Sequence, residues 1–367
     1  MRLADLREGL SASMAASACS LGPAISVVLP IYNAADYVAE GIRSLVDQSL
    51  SDIEIICVDD GSSDGTADLL DALAETDARI KVIHKENGGA GSARNAGLAA
   101  ASGEYLSFLD IDDFFEPAML QRAYETAKLD DLDIVVFRSD EYYVESGEYQ
   151  PIPWTIHADL LPEERVFAGT DVRKDVFKLF VGWAWDKLFR TSFVRENGLQ
   201  FQEIRTTNDM LFVFSAVVKA DRIGTMDDVL IHHRKDVGSL SVTREKSWRC
   251  FYEALTALRE QLRAWDLYER FERDYLNYCV HAALWNVRTL AEPTRTLLTQ
   301  RLADEWFDAL GVPSHDEAYY YNKGEYEEFL RIYDPGKYRR RSWKAAPRKA
   351  LRRAKRLLKR SAAKGGR

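Results

Sequence analysis

Apolar and polar positions along the first third of the chain come in blocks. Residues 25–29, ISVVL, form an unbroken apolar, β-branched run closed by Pro30, which predicts a buried strand. Val38, Ile42, Leu45 and Val46 then recur at helical spacing and predict a helix over about 35–48. IEIICV (53–58) predicts a second strand, closed by the turn-rich DDGSSDG. A helix over about 65–76, a strand IKVIH (80–84), a glycine-rich loop entering a helix near 90–101 and a strand YLSFL (105–109) follow. This alternation predicts an α/β domain with a mainly parallel sheet and helices on both faces.

Ligands of such sheets sit beyond the carboxyl ends of the strands. The polar clusters fall at those ends: PIYN after the first strand, DDGSSD after the second, DIDD after the fourth. They are expected to converge in space. After DIVVF (133–137) the rhythm changes to strand-like, aromatic segments up to about 235. From about Arg244 to Arg331 the pattern is helical and rich in Tyr, Trp, Leu and Arg. The expected organisation is a leader over 1–23, a core domain over 24–240, a helical appendage over 241–335 and a basic tail over 336–367.

Composition changes this picture little. The 367 residues are 46% hydrophobic and 29% charged, as in a globular protein with a real core. No run approaches the roughly 18 apolar residues of a membrane-spanning helix. The first residues carry Asp5 and Glu8 and lack a signal-peptide apolar core, so a poorly ordered leader is expected. Cys19, Cys57, Cys250 and Cys279 form no CxxC pair or metal-like spacing, which fits reduced thiols in a cytosolic protein. Charge matters more. Residues 337–367 hold fifteen Lys or Arg and no acid; with the chain at −9 overall, that leaves about −24 on the remainder. A uniformly basic surface for nucleic acid is excluded, and a local basic tail for an anionic partner remains.

The candidate chemistry starts with Asp110, Asp112 and Asp113. Residues i and i+2 leaving a strand can point the same way, and two carboxylates without His or Cys nearby suit a hard divalent cation, Mn²⁺ or Mg²⁺. A solvated acidic loop is the alternative. Asp59 and Asp60 read either as turn formers or as acceptors for a base or ribose. GGAGSARNAG has glycines before a helix but no GK[ST], so it is not a Walker loop; its Arg94 could meet a diphosphate or a base edge. Asp209 opens an amphipathic helix, where it either stabilises the dipole or serves as a general base. Trp183 and Trp185 would share one face of a strand, as a sugar-stacking surface or as half-buried core. His232 and His233 pair on a predicted strand; no third His or Cys joins them, which argues against a ligand role. Ala350, Leu351, Ala354, Leu357 and Leu358 recur among Lys and Arg, as in a basic amphipathic helix on an anionic membrane; a solvated tail is the alternative. AYYYNKGEYEEF offers aromatics to an acceptor, a lipid, a partner or a core.

Taken together, residues 24–240 resemble the family 2 glycosyltransferases of GT-A fold. The resemblance rests on ordered segments: ISVVLPIYNAADYVAEGIRSLVDQSLSDIEIICVDDGSSDGT, NGGAGSARNAGLAAASGEYLSFLDIDD, AWDKLFRTSF, NDMLF and HHRKDVGSLS. It implies that Pro30 and Tyr32 hold the nucleotide base, with the Tyr32 ring against it. Asp59 or Asp60 would contact the base or ribose, and Arg94 would lie near the base or diphosphate. Asp110 and Asp112 form the DxD element; Asp112, with Asp113 close by, would bind the divalent cation. Asp209 falls where the family's ED pair carries the catalytic base, although here the pair reads Asn208-Asp209. The implied activity is inverting transfer from a nucleotide-sugar donor, by default a UDP-sugar, to a glycan or lipid-linked acceptor in surface polysaccharide synthesis. The implied location is cytoplasmic, with 337–367 as a peripheral contact to the inner face of the cytoplasmic membrane.

Two rivals stand beside this reading. A phosphatase of haloacid dehalogenase type would carry its strand–DxD motif on the first core strand, whereas three strands precede it here and Phe114 replaces the expected Thr or Val. A non-catalytic sugar-nucleotide-binding or scaffold protein on the same fold is the second, since fold does not fix function; the retained Asp110, Asp112 and Asp209 argue against it.

Overall fold

The structure, a computed structural model, describes residues 22–235 and 244–340. Residues 1–21 of the expected leader, 236–241 of HHRKDVGSLS and 341–367 of the basic stretch lie outside the described residues. The chain divides into two compact units, one ending at Leu267 and the other beginning at Tyr268.

The first unit begins with β1 (Ile25–Ile31), α1 (Val38–Val46), β2 (Ile53–Asp59), α2 (Thr66–Ala74), β3 (Ile80–His84), α3 (Ala90–Ala100) and β4 (Tyr105–Phe108). Each falls within a few residues of its predicted span. The unit continues through β5 (Phe114–Phe115), α4 (Met119–Leu129), β6 (Ile134–Tyr143), β7 (Glu148–Pro151), β8 (Val166–Phe167), α5 (Val176–Leu179), β9 (Lys187–Arg190), α6 (Thr191–Glu196), α7 (Met210–Lys219), β10 (Ile223–Lys235) and α8 (Cys250–Ala264). The strands form one sheet in the order β3-β2-β1-β4-β9-β6-β10-β5, with β7 on β6 and β8 on β10. It is parallel across β3-β2-β1-β4 and between β6 and β10; β9 runs antiparallel between β4 and β6.

The apolar runs of β1 and β2 are continuous because both faces of a parallel sheet are covered. Ile25, Val27 and Leu29 pack with Val38, Ile42 and Leu70 of α1 and α2. Val28 points the other way, to α3, and the fit there depends on a glycine. A Cβ on Gly97 would stand 2.3 Å from Val28 Cγ1.

Two expectations are corrected. The helix after Asp209 is not amphipathic: Met210 and Phe212 to Val218 are all buried. α8 packs against it, and Phe212 stacks on Phe201 with ring centroids 4.2 Å apart. Trp183 and Trp185 do not lie on a strand. They sit in the turn before β9, curled by the buried Lys187 ammonium, which donates to the carbonyls of Val181 (3.0 Å) and Trp183 (2.8 Å).

The second unit comprises α9 (Tyr268–Thr289), α10 (Thr294–Arg301), a π-helical turn into α11 (Phe307–Leu310), and α12 (Lys323–Tyr333). Asn322 caps α12 by accepting from the Gly324 and Glu325 amides. Tyr320, Tyr326 and Phe329 are buried in this unit's core, so much of the Tyr-rich segment serves packing. Among the described residues no helix is long and apolar enough to cross a membrane.

Candidate active site

The loops at the carboxyl edge of β1 and β2 are stitched together. Asn33 adopts φ 48°, a conformation Asn tolerates well. Its amide donates to Ser62 Oγ (2.9 Å), and its Oδ1 accepts from the Ser63 amide (2.8 Å). The Ala34 amide donates to Thr66 Oγ1 at 2.9 Å. Beyond Pro30, this stitching leaves Tyr32 standing out at 54% exposure, a ring with no neighbour stacked on it among the described contacts.

Asp59 and Asp60 are both buried. Asp59 accepts from the Ser62 amide at 3.0 Å, and its Oδ2 meets His84 Nδ1 at 3.0 Å. Asp60 accepts from Lys85 Nζ (2.7 Å) and from the Gly88 (3.0 Å) and Gly89 (2.7 Å) amides. These carboxylates therefore hold the two loops of the cradle in place. The glycine-rich segment is tied down by Asp60 and leads into α3, which carries Arg94.

Arg94 joins segments far apart in sequence. Its Nη2 donates to Asp110 Oδ1 and its Nη1 to Asn208 Oδ1, both at 2.7 Å. The guanidinium is buried and lies 5.5 Å from the Phe201 ring centroid. The departure from the ED pair thus has a structural role, because Asn208 is a partner of Arg94. Asp209, the next residue, opens α7. Burial pushes its carboxyl above the usual range, while Arg94 pulls it back.

The DIDD loop sits against α1 and β10. A Cβ on Gly41 of α1 would stand 2.4 Å from the Ile111 carbonyl oxygen, so glycine is what lets the loop approach. Asp113 is buried; its Oδ1 accepts from the Arg234 amide (3.0 Å) and meets His233 Nδ1 (2.9 Å). Its Oδ2 is buried with no hydrogen-bond partner among the described residues. Burial pushes Asp113 up, and the His233 contact opposes it. Asp112 is pushed up to about 6 by burial and by the neighbouring charges of Asp113 and Asp110. Arg234 braces the loop: Nε donates to the Asp112 carbonyl at 2.7 Å, and the guanidinium lies 4.1 Å from the Phe114 ring centroid.

These carboxylates fit a divalent cation. The carboxylates supply hard oxygen donors, one buried Asp113 oxygen lacks a partner, and like charges crowd one another; against the expectation of no His nearby, His233 takes the other Asp113 oxygen. Among the described residues no three His, Cys, Asp or Glu side chains form a ready-made cage.

The structure therefore brings Arg94, Asp110 and Asn208 into direct contact. It places Asp112 and Asp113 on one braced loop, and Pro30 and Tyr32 at the edge of a cradle backed by Asp59 and Asp60. Sequence reasoning missed the bracing residues Arg234 and Lys85, and it noted His233 without its contact to Asp113. HHRKDVGSLS carried the signal for His233 and Arg234, but nothing in a strand pattern says which loop a side chain will meet.

The glycosyl transferase family 2 model matches residues 26–198. The uncharacterized glycosyltransferase EpsJ of Bacillus subtilis is 37% identical over 60% of this chain and 63% of its own length. The putative teichuronic acid biosynthesis glycosyltransferase TuaG of the same organism is 31% identical over 63% of this chain and 88% of its own. Among solved structures, S. aureus TarS 1–349 in complex with UDP-GlcNAc superposes with a TM-score of 0.52 at 21% identity, covering 84% of this chain and 79% of that one. That likeness establishes the GT-A fold. With a sheet of this order, the family model over residues 26–198 and these relatives, the chain belongs to glycosyl transferase family 2.

Proposed function

We propose that this protein is an inverting, metal-dependent glycosyltransferase. It moves a sugar from a nucleoside-diphosphate donor to a hydroxyl of a glycan or lipid-linked acceptor, in cell-surface polysaccharide synthesis. The observation that carries the reading is the crowding of Asp110, Asp112 and Asp113, with Asp112 raised and one Asp113 oxygen buried without a partner. Asp112 and Asp113 would hold the cation, Mn²⁺ or Mg²⁺, and share it with the donor's diphosphate. When bound, such a cation offsets the charge that grows on the diphosphate as the glycosidic bond breaks.

The chain's own residues do the rest. Tyr32 and Pro30 receive the base at the cradle that Asp59 and Asp60 support. Arg94 couples that side to Asp110 and lends positive charge near the diphosphate. Asp209 accepts the proton of the acceptor hydroxyl as that oxygen attacks the anomeric carbon. A carboxylate raised by burial is a better base near neutral pH. One displacement inverts the anomeric centre, so no protein nucleophile is required. TarS was crystallised with UDP-GlcNAc, which makes that the first donor to try. We assign the donor chemistry to 24–240 and a peripheral membrane contact to the basic stretch 337–367.

The test is nucleotide release from a panel of UDP-, GDP- and dTDP-sugars with Mn²⁺ or Mg²⁺, together with metal-dependent nucleotide binding by calorimetry. Release or binding that is lost with EDTA and in Asp112→Ala is expected. Nucleotide bound equally well with EDTA would remove the cation from the proposal. No nucleotide binding under any condition would overturn the donor assignment.

A further inference from the structure

A run of aromatic rings leads away from the DIDD loop. His233, which meets Asp113, stacks on Trp185 with centroids 5.5 Å apart and planes 17° off parallel. Trp185 stacks on Trp183 at 4.8 Å and 20°. Trp183 meets Trp154 edge to face at 5.3 Å and 61°. Exposure rises along the run. Trp185 is buried, Trp183 is half-buried, and Trp154 is 46% exposed. The run thus ends in an indole with an open face, backed by two stacked rings and available to a ligand.

The far end also has a groove. The 3-10 turn that presents Trp154, Pro153–Thr155, contributes Pro153 to the wall of a cavity of about 580 Å³, which Ile152, Ile156 and His157 also line. Ser139 of β6 lines it as well. It is 2% exposed, and its Oγ has no hydrogen-bond partner among the described residues. A buried hydroxyl without a partner is costly, and a ligand group entering the groove would satisfy it. Ser139 and Ile231 are register partners on β6 and β10, two residues before Glu141 and His233, so both pairs lie on one face of the sheet.

We propose that Trp154 and Trp183, with the Ser139 groove beside them, form the platform for the acceptor, and that the acceptor is a saccharide. The reading rests on the proposed transferase function and adds the acceptor's chemistry to it. A pyranose ring has one face of C–H groups and a rim of hydroxyls. The indoles take the face, and Ser139 and His157 offer partners to the rim. Ile152, Pro153 and Ile156 would suit a lipid chain as well as the C–H face of a sugar, but a lipid chain would leave the Ser139 hydroxyl without a partner, so a saccharide fits better than a lipid. Lys187 is a positioning residue here, since its ammonium holds the Trp183 carbonyl and so sets the indole's place.

The test titrates the full chain with the p-nitrophenyl β-glycosides of glucose, galactose and N-acetylglucosamine, reading quenching of tryptophan fluorescence. p-Nitrophenol and a short-chain alkyl detergent below its micelle concentration serve as the comparison ligands. Saturable binding of at least one glycoside is expected, weakened about tenfold in Trp154→Ala and largely restored in Trp154→Tyr. Ser139→Ala should weaken it further without changing the response to p-nitrophenol. No saturable glycoside binding, or equal binding by wild type and Trp154→Ala, would overturn the platform. Binding that follows p-nitrophenol or the detergent alone would make the groove a lipid site and overturn the saccharide. A parallel UDP-GlcNAc titration on each variant separates loss of the platform from loss of fold. If glycosides bind and no nucleotide does, the platform stands and the transferase reading fails.

Discussion

Glu54, at the amino end of β2, offers a test of how this sheet is held together. Its Oε1 accepts from Ser26 Oγ of β1 at 2.5 Å and from Ser102 N and Oγ at 2.6 and 2.9 Å; its Oε2 accepts from Lys81 Nζ of β3 at 2.5 Å. Burial alone would raise this carboxyl. The bonds from Lys81, Ser26 and Ser102 outweigh it and hold the group down from 4.5 to about 2. Such a difference corresponds to about 3 kcal/mol favouring the folded, ionised form. Lys81 is half exposed, and solvent screens its share, so Glu54→Gln is expected to cost about 2 kcal/mol. The readout is hydrogen exchange by mass spectrometry on peptides of β1 and β2, where the variant should exchange about 30-fold faster at pH 7. A depressed carboxylate stabilises the fold above its unfolded value and loses that contribution as pH falls through its folded value. The gap between wild type and Glu54→Gln should therefore be full above about pH 4.5 and close towards pH 2. Five residues of strand, about 17 Å, separate Glu54 from Asp59, so nucleotide release by folded variant should match wild type. An exchange difference below about threefold, or a gap that persists at pH 2, would refute the reasoning.

Other outcomes are equally specific. Asp209→Asn should lower kcat by roughly 10²–10⁴-fold while donor affinity holds, measured by steady-state transfer once an acceptor is found; an unchanged kcat would remove Asp209 as base. Asp112 is raised to about 6, so its neutral form prevails below that pH and cation binding should weaken about tenfold from pH 7 to pH 5. Free Mn²⁺ measured by electron paramagnetic resonance reads this directly, and a flat profile would count against Asp112 as a ligand. Lys187→Met leaves Asp186 buried and unpaired, which costs about 3–5 kcal/mol. Calorimetry should show a lowered melting temperature, partly recovered in the double variant with Asp186→Asn. Removing 337–367 should abolish flotation with anionic vesicles; equal flotation would dismiss the membrane contact.

The sequence by itself determined the architecture of residues 25–110. Short, β-branched apolar runs ended by Pro30 or by acidic turns and alternating with helical patterns read as strands of a parallel sheet, and the strands sit where the pattern put them. It also offered Arg94, the DIDD acids and Asp209 as candidates, because each marks a strand's carboxyl end or a helix entrance, while Tyr32 came from the family resemblance. Tertiary structure decided what those residues touch. Arg94 and Asn208 stand 114 residues apart and Asp113 and His233 stand 120 apart, and no local pattern encodes such pairs. The apolar positions after Asp209 predict an amphipathic helix; α8, α5 and the turn at Gly169–Asp171 pack around it and bury nearly all of it, and that is a matter of tertiary packing. The Trp pair read as strand-like from its spacing of two, yet a buried ammonium curls that segment into a turn. A side chain reaching back to two carbonyls overrides the local preference of the residues between them.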